Sequence, residues 1–122
     1  MAFVKSTSTL SADAITVPNL SGGDNGKVVR ISGANTATNA ANTDTATQLQ
    51  TVLIKIGDEY YAGGTVSGFT GLTAGTPLFL DATGGLTTSP PTPTASTRAL
   101  FIGFALNTTD LVFRPGIPIS GT

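Results

Sequence analysis

Large apolar side chains are spread unevenly along the chain. Of 34 (Val, Ile, Leu, Met, Phe, Tyr), residues 1–50 hold 11 and residues 51–122 hold 23. Residues 1–26 carry Phe3, Val4, Leu10, Ile15, Val17 and Leu20 among Ser and Thr, then end in Ser21-Gly22-Gly23-Asp24-Asn25-Gly26. That closing stretch is a dense turn signal, with Asn25-Gly26 suited to positive φ. The pattern predicts an extended N-terminal arm over 1–26 and a single all-β domain over 27–122. A short strand is expected at 27–32 (KVVRIS). Residues 34–48 (ANTATNAANTDTATQ) read as a polar loop, because Thr and Asn are poor helix formers and no apolar residue recurs at three-to-four spacing.

From residue 49 the period is two. Residues 51–56 (TVLIKI) put Val52, Ile54 and Ile56 on one face and Leu53 and Lys55 on the other. Gly57-Asp58 turns into a second strand at 59–62, and Gly63-Gly64 and Gly68 punctuate a short strand around Val66. Residues 77–81 (PLFLD) form a strand that turns through 82–85 into 86–88. Residues 89–97 (SPPTPTAST) hold three prolines and predict an exposed, extended loop. Residues 98–106 read as a strand buried on both faces, with Gly103 marking a bulge or bend. A last strand at 111–113 precedes a Pro-rich tail. Strands at about ten-residue spacing with Gly turns and no helix predict a small β-barrel or β-sandwich. Phe79, Phe101, Phe104 and Phe113 fall in these strands and are expected in the core. Tyr60 and Tyr61 are strand neighbours, so one of them should face outward.

Composition narrows the chemistry. The 122 residues include no His, Cys or Trp, and only 11% are charged, while Thr (22), Gly (15), Ser (9) and Asn (6) dominate. Zinc sites of the usual kind, Ser-His or Cys-His nucleophiles and disulfides are excluded. A net charge of −1 with six scattered cations argues against a nucleic-acid footprint. The longest apolar run, 100–106 (LFIGFAL), is too short to span a bilayer, and MAFVKSTSTL lacks a secretory h-region. So little charge leaves little self-repulsion, and favours a surface that is covered by other protein.

Candidate sites are few. Asp58-Glu59 should point to opposite faces of the chain, unlike a catalytic carboxylate pair. Gly23-Asp24-Asn25-Gly26 lacks the bidentate Glu of a calcium loop. Gly22, Gly23 and Gly26 precede Lys27, but Val28 stands where a phosphate loop needs Ser or Thr. No catalytic residue, metal ligand or cofactor is expected.

One stretch is more specific. Residues 71–81 (GLTAGTPLFLD), Gly84-Gly85-Leu86-Thr87-Thr88, the Pro-rich gap, residues 102–106 (IGFAL) and residues 111–115 (LVFRP) follow one another in that order. The series, about 45 residues, resembles a pattern in small structural proteins of tailed bacteriophages: head-decoration (cement) proteins, head fibres and tail-fibre modules. The resemblance implies a non-enzymatic virion protein on the capsid exterior, bound to the major capsid protein lattice and self-associated as a homotrimer. Decoration is favoured over a fibre component binding a host receptor or glycan, because the module fills most of 122 residues. It further implies an arm gripping neighbouring capsid subunits, with Phe3, Val4, Ile15, Val17 and Leu20 as anchors. The competing reading is that residues 1–26 add a first strand to the domain's own sheet. An exposed Tyr60 or Tyr61 beside a polar groove would favour the fibre.

Overall fold

The computed structural model describes residues 13–121. Its strands are β1 (Ile15–Thr16), β2 (Lys27–Gly33), β3 (Thr36–Asn39), β4 (Val52–Ile56), β5 (Glu59–Ser67), β6 (Pro77–Leu80), β7 (Leu86–Thr87), β8 (Arg98–Ala99), β9 (Phe101–Ala105), β10 (Asp110–Phe113) and β11 (Ile119–Ser120). A single 3-10 turn, Gln48–Thr51, leads into β4. The fold is all-β. One antiparallel sheet runs β3-β2-β4-β5-β10-β9-β6-β7 with β1 added to β5, and β8 pairs with β11 separately.

The sheet curls until its ends meet. Val28 N–H donates to the carbonyl of Gly84 at 2.7 Å, and Asn42 N–H to that of Asp81 at 3.1 Å. The β6–β7 turn thus closes against β2 and the residues after β3, giving a barrel-like wrap around one inner core. That core joins Val28, Ile54, Val66, Leu80, Ile102 and Phe113, all essentially without solvent exposure. These positions alternate with outward ones along each strand, as a period of two requires.

β5 links the two halves. Glu59–Tyr61 pair with β4, Gly63 and Tyr61 with β1, and Gly64–Ser67 with β10. The two strands expected at 59–62 and around Val66 are therefore one. Gly64, at φ +90°, is the joint, and a Cβ there would collide with the carbonyl oxygen of Asp13. Only glycine satisfies both demands. The same joint lets Tyr61 and Val66 both face the inner core although they are five residues apart.

Three further expectations are corrected. The polar stretch 34–48 contains β3, whose buried Ala37 is small enough to lie beneath Gly22. Residues 98–106 form two strands, because Leu100 leaves the ladder between β8 and β9. Those strands are not buried on both faces: Phe101 and Phe104 are only half-covered, as is Phe79, and of the four expected core phenylalanines Phe113 alone is fully inside. Gly103 does coincide with an irregular register opposite β6.

Candidate interaction surface

A second apolar cluster lies on the outer side of the first half of the sheet. Val29, Ala37, Leu53 and Tyr60 are buried there, with Val17, Leu20 and Ala62 packed against them. The cover is the segment 13–26. Val17 N–H donates to the Tyr60 carbonyl at 2.9 Å, and Ala37 N–H to the carbonyl of Ser21 at 2.8 Å. The Tyr60 hydroxyl donates to the Gly22 carbonyl at 2.7 Å, and Lys55 Nζ reaches the carbonyls of Gly22 and Gly23 while lying 5.4 Å from the Tyr60 ring centroid. These bonds satisfy backbone carbonyls that would otherwise be orphaned over an apolar face.

This arrangement decides the fate of the expected anchors. Phe3 and Val4 lie outside the described residues. Val17 and Leu20 are used within the chain, as cover for the outer cluster. Ile15 remains 60% exposed on β1, although its backbone belongs to the sheet. From residue 13 onward, then, the segment read as an arm contributes a strand and an outer layer to its own domain.

The tyrosine expectation is overturned. Tyr60 is 3% exposed in the outer cluster and Tyr61 6% exposed in the inner core, so neither ring faces solvent. Alternation along β5 holds; what the pattern could not show is that both faces of this strand are covered. Burial, and secondarily the negative charge of Glu59, pushes the Tyr61 hydroxyl above the usual tyrosine range.

The carboxylates serve turns. Asp24 pairs with the Asn39 side chain and Asp44 with Arg30 Nε at 2.9 Å. Burial works to raise the Asp81 carboxyl, but bonds from the N–H groups of Thr83 and Gly85 and the Thr83 hydroxyl, aided by Lys27, outweigh it and hold the group below the usual carboxylate range. Asp110 is held low by the side chains of Asn107 and Ser67, and then of Thr109. Asp58 and Glu59 are exposed at the β4–β5 turn. Among the described residues no three His, Cys, Asp or Glu side chains gather in a way that could hold a metal ion. No helix among them is long and apolar enough to cross a membrane.

What the surface does present is uncharged and apolar. Two open grooves, of about 410 and 400 Å³, share Gln50, Val52 and Pro115. One continues along the tail past Ile117, which is 82% exposed, and the other runs past Ile31 toward Val17 and Ala62. No charged side chain lines either groove. Isolated exposed apolar residues are ordinary, whereas a contiguous apolar band on so small a domain marks a place where something binds. Sequence reasoning missed this band because Ile31 sits at the end of a strand and Ile117 in a Pro-rich tail, and only the fold brings them to one side.

No protein family, curated protein or solved structure matches the chain.

Proposed function

We propose that the chain is a bacteriophage virion structural protein: a capsid decoration protein that binds the exterior of the major capsid protein lattice and stabilises it. The observation that carries this reading is the charge-free apolar band, set on a domain with 11% charged residues. Such a surface suits permanent contact with another protein, where burying apolar area is the driving force and unpaired charges would oppose it. The phage-like pattern over 71–115 supplies the kind of partner. A lattice repeats its sites, so a symmetric assembly of this chain, a homotrimer by the same resemblance, would gain avidity from modest contacts made by each copy.

The rival reading as a receptor- or glycan-binding fibre component drew on an exposed tyrosine. With Tyr60 and Tyr61 both buried, it loses that support.

The test is to mix the purified protein with capsids assembled from the major capsid protein alone and sediment them. Saturable binding at a copy number comparable to the capsid subunits, with a raised capsid disruption temperature, is expected. Failure to co-sediment, or only a few copies per particle, overturns the reading.

A further inference from the structure

The outer side of the second half of the sheet differs from that of the first. In the first half, segment 13–26 covers the outward side chains. In the second, cross-strand partners line up Thr65 on β5, Val112 on β10, Phe104 on β9 and Pro77 on β6 as one outward row. A parallel row pairs Phe101 with Phe79, whose rings meet edge to face with centroids 5.9 Å apart. Arg114 lies over the Phe104 ring at 5.7 Å. Three half-buried phenylalanines and a valine on one sheet face are an apolar surface of the kind that is ordinarily covered.

We propose that this face is the seat of the chain's own N-terminal segment, residues 1–12. Three observations point to that occupant. First, the described chain begins at this face. β1 runs antiparallel to β5 with Ile15 opposite Gly63, so residues upstream of Ile15 are directed toward Gly64 and Thr65. From Gly64 onward β10 occupies the strand's edge, so the upstream chain has no ladder to join and must leave over a face. The Thr65 hydroxyl donates to Asp13 Oδ2 at 3.0 Å, which fixes the departure on the outward side, at the end of the Thr65–Val112–Phe104–Pro77 row.

Second, the lengths agree. From β5 to β6 is three strand spacings, roughly 14 Å, and twelve extended residues reach roughly 40 Å. Leu10 stands three residues before Asp13, roughly 10 Å along an extended chain, which is the distance to Phe104 two strands away. Third, the chemistry agrees. Residues 1–12 carry Phe3, Val4 and Leu10 with Lys5 as the only charged side chain, and the remainder is small or hydroxylated. An apolar face with Arg114 at its rim accepts such a segment without burying an unpaired charge. The second half of the barrel would then be finished in the way segment 13–26 finishes the first. This does not depend on the capsid reading.

The absence of cysteine from the chain makes the test direct. In the full-length double variant L10C/V112C, oxidised at low protein concentration, an intrachain disulfide is expected in most molecules, read by mass and peptide mapping. A control pair, L10C with T83C at the β6–β7 turn, should cross-link at least tenfold more slowly. Interchain disulfides would assign the face to a second copy and overturn the proposal, as would both thiols remaining free. As a measurement without engineered thiols, the full-length variant L10D should raise the fluorescence of an apolar-surface dye severalfold with its far-UV circular dichroism unchanged. Unaltered dye fluorescence in a folded L10D also overturns it.

Discussion

At the scale of single residues, the tightest demands fall on backbone contacts. A Cβ on Gly103 would overlap the carbonyl oxygen of Val112, and its next neighbours would be other backbone atoms of β10. No rotamer change relieves such an overlap; β10 would have to move, and it is held on its other edge by β5. Gly103→Ala should therefore destabilise the domain by about 3 kcal/mol, at the upper end for overpacking, as read by urea denaturation. A variant as stable as the parent would mean that β9 and β10 are farther apart than described. Tyr60 is a gentler probe. Tyr60→Phe keeps the ring in the outer cluster and the Lys55 contact but removes the bond to the Gly22 carbonyl. About 1 kcal/mol should be lost, and hydrogen exchange should quicken at the amides of Val17 and Ala37, which bind segment 13–26 to the sheet.

At the scale of elements, the β6–β7 turn matters more than its two-residue strand suggests. Asp81 orders it by accepting from Thr83 N–H and Gly85 N–H at 2.8 Å each, and the same turn offers the Asp81 and Gly84 carbonyls that close the barrel. Its carboxyl is more acidic folded than unfolded, where a pKa of about 3.9 applies. A depressed folded pKa means stability that is present above the unfolded value and lost as pH falls through the folded one. Asp81→Asn should thus cost about 1–2 kcal/mol near neutrality, and the difference from the parent should shrink toward zero as pH falls below about 4. Parallel pH–stability curves for the two proteins would show that the ionised carboxylate does not hold the turn.

This turn was legible from Gly84-Gly85 and the alternation around it, as were β4, the β4–β5 hairpin and the turn-rich all-β character. The closure it makes was not, because a contact between the sheet's two ends leaves no local pattern. β3 escaped for a different reason. Thr36–Asn39 has the alternation of a strand, but its inward residue is Ala37, and an alanine among threonines carries almost no hydropathy contrast. The arm misled in the opposite way. Apolar residues spaced as Val17 and Leu20 are look like anchors awaiting a partner, and the partner of these two is the outer face of the chain's own sheet.

At the scale of the molecule, burial of both tyrosines and exposure of three phenylalanines have one cause. A sheet that is covered inside and partly covered outside has two apolar faces in its first half and one in its second, and a period-two pattern cannot tell which outward residues receive a cover. What the structure leaves open to solvent is the band through Ile31 and Ile117, and its role can be separated from folding. Ile117 is 82% exposed, so Ile117→Asp removes little native burial and should shift the melting temperature by no more than about 3 °C. In a complex the same aspartate would be buried unpaired against an apolar partner, which is costly. Capsid binding by Ile117→Asp, and by Ile31→Asp in the adjoining groove, should therefore weaken by at least about tenfold, equivalent to about 1.4 kcal/mol. Leu106→Asp is the matched control: Leu106 is 51% exposed and lines neither groove. It should bind as the parent does. Equal binding by all three variants would remove the band from the interface, and equal loss by all three would show that added charge anywhere, rather than contact at the grooves, governs association.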